Sequence, residues 1–354
     1  MAKTSHRSQS TSLWQIEAEV APGLEDIATE EITNLLGLST DQIGHSKGRV
    51  AFKYGGEIKP LLALRTVISL YSVITFSIPR PKGILGHEHL TRTLRHIKQI
   101  MHLHSAGTFH SWHLAAAGSH TNTMQRIRNN ISDGLGMAHD HSGGDLLVRL
   151  RPTPHEKGWD VLVRLTPRPL ATRSWRIVNY PGALNASVAA AMLKLLPVES
   201  AEACLNIACG SGTILIEAHS DGRFGNLTGI DHQREALMVS LQNWQATGYT
   251  GSFELCQADI RVLPFPDASV DCVVADLPFG QLTGTHSENI ELYPEVLKEV
   301  ARVARTKGHF LIITHEVRLM EKLLSDQVWW HLKHERRITL SGLHPGIYLL
   351  ERRT

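Results

Sequence analysis

Residues 183–354 alternate short apolar runs with segments of helical spacing, and this pattern restricts the chain to few folds. ALNASVAAAMLKLL, the start TILIEAHS, REALMVSLQNWQAT and YPEVLKEVARVA read as helices. ACLNIA, NLTGID, FELCQAD, VDCVVAD and HFLIITH read as strands between them. Parallel neighbours need a crossover, usually a helix, so such alternation predicts a mainly parallel, doubly wound α/β sheet. WHLKHERRITL and GIYLLERR then read as a terminal strand pair. In sheets of this type ligands bind beyond the carboxyl ends of the strands. The residues that end each strand are therefore the first place to look for chemistry.

Three strand ends carry suitable groups. ACLNIACGSGT (203–213) runs from an apolar strand through a glycine turn into a helix. Gly210 and Gly212 permit a tight turn and close approach of a ligand, and the following helix offers free N–H groups. Ile214 and Leu215 break the GxGxxG dinucleotide pattern, and no Gly-Lys-Ser/Thr phosphate loop is present. Asp231 ends NLTGID, where a carboxylate can accept the ribose hydroxyls of a nucleoside or cap a helix. Asp259 ends FELCQAD, where a carboxylate can accept an adenine amino proton or, again, cap. VVADLPFG (273–280) is the most specific of the three. Asp276 supplies a carboxylate acceptor. Pro278 has no N–H and disfavours a helical Leu277, so the Leu277 carbonyl can turn into a site beside the carboxylate. Phe279 offers a flat face. Two acceptors and an aromatic plate suit a planar substrate bearing an NH2 group.

The front half differs in texture. Residues 13–80 read as strand, helix, strand, helix, strand: LWQIEAEV, GLEDIATEEITNLLGL, RVAFKY, KPLLALRTVIS (59–69) and YSVITFSI. This is a small α+β layer. PRPKGILG (79–86) marks a boundary, after which residues 81–168 form a second module with two alternating strands, DLLVRLRP and WDVLVRLTP, at its end. Residues 169–182 are a basic, proline-containing connector to the unit 183–354, and residues 1–12 are expected to be a loose, disordered tail with no secretory signal.

Charge follows the same division. Residues 1–180 hold 21 Lys+Arg against 14 Asp+Glu (+7), and the remainder holds 15 against 20 (−5). Residues 80–180 alone hold 14 basic and 6 acidic residues (+8), which points to a polyanion as partner of the front half. Arg126, Arg128, Arg149, Arg151, Arg164, Arg168, Arg173 and Arg176 are the candidate phosphate contacts, although Arg149, Arg151, Arg164 and Arg168 equally suit the solvated face of a half-buried sheet. Ten of the 21 histidines fall between His87 and His141, but they lack carboxylate or cysteine partners at ligand spacing, so no metal is expected. Their protonation predicts stronger anion binding at lower pH. The four cysteines form no CxxC pair, no apolar run is long enough to span a bilayer, and the cytoplasm is the expected compartment.

These motifs resemble a known family. The unit 183–354 resembles class I S-adenosylmethionine-dependent methyltransferases that modify amines, through CGSGTILIEA and DLPFG, whose signature is Asp/Asn-Pro/Leu-Pro-Phe/Tyr. PGLEDIATEEI through VITF is similar to the ferredoxin-like domain that precedes a THUMP domain. DLLVRL…WDVLVRLTPRPLATRSWR is similar to the end of THUMP. Together they resemble the THUMP-containing tRNA guanine-N2 methyltransferases that act on the acceptor stem, around position six. The resemblance implies a Rossmann-like catalytic domain with a terminal antiparallel strand. It implies S-adenosylmethionine held by Asn206, Ala208, Cys209, Gly210, Ser211, Gly212, Thr213, Asp231, His232, Asp259, Ile260 and Asp276. It implies Asp276, Leu277, Pro278 and Phe279 as the catalytic segment, with tRNA as partner and no membrane association. One departure stands out. Relatives often read Asp-Pro-x-Cys-Gly-Ser-Gly-Thr where this chain has Asn206-Ile207-Ala208-Cys209, so an uncharged acceptor replaces a carboxylate. The signature leaves room for other acceptors. They are another tRNA site or large-subunit ribosomal RNA, an adenine or a protein amide, or no chemistry at all in an RNA-binding protein with a dead catalytic half.

Overall fold

The computed structural model describes residues 13–154, 157–251, 253–278, 285–340 and 342–354. The tail 1–12 and Phe279 lie outside the described residues. The described chain forms two compact units, one of residues up to 170 without 21–28, the other of residues 21–28 and those from 171 onward.

The first unit is built on strands β1 (Trp14–Glu19), β2 (Ile43–Ser46), β3 (Arg49–Tyr54), β4 (Ser69–Phe76), β5 (Trp112–Ala116), β6 (Leu146–Pro152) and β7 (Trp159–Arg164). They hydrogen-bond into one sheet of order β2-β3-β1-β4-β7-β6-β5. All pairs are antiparallel except β5–β6. Strands on either side of the expected boundary near residue 80 are joined directly, from Tyr71 opposite Arg164 to Phe76 opposite Trp159. In chain order, helix α1 (Glu25–Leu36) is followed by α2 (Ile58–Leu62), α3 (His87–Met101) and α4 (Asn122–Leu135). The helix expected over 59–69 is therefore only α2. The β-branched run Thr66-Val67-Ile68 favours extended backbone and leads into β4. Strand β2 was not anticipated; its burial is confined to Ile43, too little for a periodic signal.

The second unit matches the alternation read from the sequence. Its strands are β8 (Ala201–Ile207), β9 (Phe224–Asp231), β10 (Glu254–Gln257), β11 (Val270–Asp276), β12 (Ala304–Thr314), β13 (Trp330–Arg337) and β14 (Gly346–Arg352). Its helices include α5 (Ala186–Lys194), α6 (Thr213–Asp221), α7 (Arg234–Gln245), α8 (His286–Val303) and α9 (Val317–Ser325). The sheet order is β10-β9-β8-β11-β12-β14-β13. The first five strands are parallel, and β14 runs antiparallel between β12 and β13. This is a doubly wound, Rossmann-like sheet with an antiparallel margin.

Register decides what the sheet presents. Ile207 lies opposite Ile230 on one side and Ala275 on the other, and Asp276 lies opposite Ile313. The carboxyl ends of β8, β9, β11 and β12 therefore come level along one rim. Beneath the rim, Leu205, Val273, Phe310, Val296, Val300 and Trp330 are among the buried residues of the main core. Burial of this apolar face, at about 25 cal/mol per Å², holds the rim rigid.

Candidate functional site

The turn after β8 is held in left-handed backbone at Ala208 (φ 49°), Gly210 (φ 51°) and Gly212 (φ 77°). Ala208 is unusual, because a Cβ makes that conformation costly, and such positions gather at functional sites. The two glycines serve different ends. A Cβ on Gly212 would run into the Ser240 side chain on α7, so this glycine lets α6 pack closely on its neighbour. Open space surrounds the same position on Gly210.

Asp231, at the tip of β9, ties the turn down. Its Oδ2 accepts from the Gly210 N–H at 2.9 Å, and its Oδ1 accepts from the Gln233 N–H at 2.9 Å. Each oxygen retains further acceptor capacity. Asp259 lies two residues past β10 and is half exposed. Arg261 grips it with Nη2 to Oδ2 at 2.6 Å and Nε to both oxygens at 3.0 Å. That hydrogen-bonded guanidinium holds the carboxyl below its ordinary value.

Asp276 contrasts with both. It ends β11, and its carboxylate has no hydrogen bond or ion pair among the described residues. Burial alone pushes its pKa up to about 7. A carboxylate kept short of water and of partners is held ready for a donor that it lacks. The next two residues are pinned. Leu277 N–H donates to Ile313 O at 3.0 Å, and Tyr293 Oη donates to Pro278 O at 2.7 Å. The Leu277 carbonyl accepts nothing among the described residues.

These groups share one cavity of about 540 Å³. Of the residues expected from the sequence, its wall contains Ala208, Cys209, Gly210, Ser211, Thr213, Asp231, His232, Asp259, Ile260, Asp276, Leu277 and Pro278. Asn206 is placed elsewhere. It is buried between β8 and β11, with Nδ2 donating to Val274 O at 3.1 Å and Oδ1 unpaired among the described residues. Burial also keeps the Cys209 thiol well above its ordinary value, so it is a neutral wall group and no nucleophile.

The wall holds residues that sequence reasoning missed. Tyr180 comes from the connector, Leu184 from just after it, and Glu288, Asn289 and Glu291 from α8. Asn289 is fully buried, its Nδ2 donating to Glu316 Oε1 at 3.2 Å while Oδ1 has no partner among the described residues. A Thr285–Glu288 capping box starts α8, and the TxxE spacing in THSE was a legible signal for it.

The wall is rich in carboxylates: Asp231, Asp259, Asp276, Glu288 and Glu291 face it, against the one arginine, Arg261, among its described residues. Such a field attracts a cation and repels phosphates. S-adenosylmethionine carries a sulfonium cation, hydroxyl donors and an amine donor, so the residues present fit it. A phosphate-bearing dinucleotide fits them poorly.

The eight arginines divide sharply. Arg151 is held inside the first unit by Glu17, Nη1 and Nη2 donating at 2.7 and 2.5 Å, and by Asp160 at 3.2 Å. Arg164 is buried and donates to the carbonyls of Thr166 and Pro167. Arg149 lies 4.8 Å over the Tyr71 ring and 3.6 Å from Glu19. In the second unit, Arg173 pairs with buried Glu217 at 2.9 Å, and Arg176 donates to Leu184 O and Thr213 Oγ1 at 2.8 and 2.9 Å. Arg126 and Arg168 are exposed, and half-buried Arg128 reaches Ser119 O at 2.6 Å. The histidines divide too. Burial pushes His96 and His139 down to about 4, so neither gains charge at pH 6.

Residues 173–346 match the UPF0020 family, described as RMKL-like, methyltransferase domain. The chain is 29% identical to tRNA (guanine(6)-N(2))-methyltransferase THUMP3 of Mus musculus over 185 residues, 49% of this chain and 37% of that protein. The matched part is thus well under two thirds of that relative's length. It is 26% identical to tRNA (guanine(6)-N2)-methyltransferase of Thermus thermophilus over 349 residues, 96% of this chain and all of that one. The crystal structure of TrmN from Thermus thermophilus has the same fold, with a TM-score of 0.75 at 24% identity over 96% of this chain and 100% of that one.

Proposed function

We propose, starting from a chain whose residues 173–346 match the RMKL-like methyltransferase domain family, that this protein methylates the exocyclic N2 amine of a guanine in tRNA, with S-adenosylmethionine as donor. The observation that carries the reading is Asp276, a half-buried carboxylate without a described partner, next to a Leu277 carbonyl that is likewise unengaged. The names of both relatives, one of them matched over almost its whole length, support guanine in tRNA as the substrate. The acceptor-stem site around position six follows the same relatives.

The guanine amine is a poor nucleophile, because its lone pair is delocalised into the ring. Asp276 and the Leu277 carbonyl accept its two hydrogens and hold the lone pair toward the donor. The carboxylate also stabilises the positive charge that grows on nitrogen. Orientation supplies much of the rate. Asp231, Asp259 and the glycine turn would hold S-adenosylmethionine, which supplies a methyl group already activated on sulfur. The new secondary ammonium is acidic, and Asp276 or water takes its proton. Phe279 would offer a stacking face to the base. A stem guanine must leave the A-form helix to reach the cavity. Arg126, Arg128 and Arg168 are the arginines we assign to phosphates in the THUMP-like front half, and the expected modules 13–80 and 81–168 remain our division of it. No helix among the described residues is long and apolar enough to cross a membrane. A tRNA substrate supports the cytoplasm as its compartment.

Labelled-methyl transfer to total RNA, followed by nucleoside identification and mapping, tests the reading. N2-methylguanosine in tRNA is expected. Label in another nucleoside, or tRNA binding without any transfer, would overturn it.

A further inference from the structure

Four groups in the second unit form a single directed chain of hydrogen bonds ending on the Asp276–Pro278 segment. Glu316 N–H donates to Thr314 Oγ1 at 3.0 Å. Thr314 Oγ1 and Tyr293 Oη are 2.6 Å apart, and Tyr293 Oη lies 2.7 Å from Pro278 O. The two ends fix the direction, because an amide N–H only donates and a carbonyl only accepts. Tyr293 must therefore donate to Pro278, and Thr314 must donate to Tyr293. Each hydroxyl gives one hydrogen bond and receives one. Tyr293 and Thr314 are fully buried, so water cannot replace either partner.

Pro278 has no amide hydrogen, so its carbonyl is the one backbone donor-acceptor group through which it can be tethered. The segment is then held at two points. Leu277 N–H is fixed to Ile313 O at 3.0 Å on β12, and Pro278 O is fixed to Tyr293 on α8. The Leu277 carbonyl and its peptide plane lie between those two pins. We infer that Tyr293, with Thr314 behind it, is a positioning residue that sets the direction of the Leu277 carbonyl without touching substrate. This deepens the proposed reaction and rests on it for the role of Leu277. The Asp276 charge also acts on the Tyr293 hydroxyl, whose pKa burial raises, so the phenol stays a donor.

The test uses the full chain and four variants: Tyr293→Phe, Thr314→Val, the double variant, and Thr314→Ser. Single-turnover methyl transfer, cofactor Kd and RNA Kd are measured for each. Tyr293→Phe and Thr314→Val are expected to slow transfer about tenfold each, with both Kd values unchanged, since a small misplacement costs rate before affinity. The double variant should be no slower than the worse single one, because either change cuts the same chain. Thr314→Ser should retain near wild-type rate. Unchanged rates, multiplicative losses in the double variant, or a loss seen in cofactor Kd would each overturn the inference. If Tyr293→Phe does not fold, the contrast between Thr314→Val and Thr314→Ser decides. Wild-type methylation of some base amine other than guanine would sink the substrate reading while leaving this chain testable on that acceptor.

Discussion

Each unit is built on a seven-stranded sheet, but the two use charge in opposite ways. In the first, charged side chains lie along the strands and find each other. Arg151 joins Glu17 and Asp160, and Arg149 leans on Tyr71 and Glu19. In the second, carboxylates gather at the level tips of parallel strands, and Asp276 is left there without a described partner. Side chains alternate between faces in both sheets, but Glu17, Arg149, Arg151 and Asp160 sit within strands, where side chains of neighbouring strands can meet them. A parallel sheet brings all its carboxyl ends to one rim, and a residue at a tip can face a cavity instead of a neighbour. A charge count along the sequence does not distinguish these cases.

The largest test of this contrast is Asp276→Ala. Transfer should fall about 10²–10³-fold, with tRNA and cofactor binding near wild type, because the lost acceptor matters most as charge develops. Retained turnover would erase the distinction drawn for this tip. In the first unit, Arg151→Ala should instead cost about 3 kcal/mol in urea unfolding, since it leaves buried Glu17 with only Arg49 at 3.8 Å and buried Asp160 with only the Thr75 and Thr153 hydroxyls among the described residues. Little loss of stability would mean that Arg151 is available to RNA after all.

Titration offers a test of intermediate size. Transfer needs the Asp276 carboxylate ionised, so its rate should rise about tenfold from about pH 6 to about pH 8, with a midpoint near 7. The sign for stability is the reverse. The folded state keeps a proton that the unfolded chain loses between the ordinary value of 3.8 and about 7, so stability is lost as pH rises through that window. Asp276→Asn should therefore raise unfolding stability by about 1–4 kcal/mol at about pH 8 and by little near pH 4, checked by urea titrations at both. The smallest expected effects are those of Arg126→Ala and Arg168→Ala: a few-fold weaker tRNA binding each, a shallower salt dependence, and no change in unfolding midpoint. Equal losses from Arg164→Ala without unfolding would show that the buried arginines had been misassigned.

Much of the second unit was legible because its signals are local. Apolar runs of strand length, the glycine turn at 208–212 and the DLP segment each declare a backbone conformation within a few residues. Most of the expected cofactor wall assembled around one cavity for the same reason. Illegible features were those whose partners lie far along the chain. Arg151 meets Glu17 across 134 positions, and Pro278 is held by Tyr293 from a helix that follows it. Tyr180 and Pro181 reach the cavity from a connector with no motif of its own. The amphipathic α9 went unread between two strands, although Met320, Leu319 and Leu323 carry its spacing into the core.

Periodicity and turn chemistry are short-range properties, so the order of residues alone determined the α/β alternation, the rim and the identity of the acceptors at its tips. Which arginines are open to solvent, which carboxylate stays unpaired and how its neighbouring carbonyl is held depend on groups brought together only by packing. Desolvation and hydrogen-bond satisfaction exist only once that packing is complete, and for that reason the tertiary structure alone decided them.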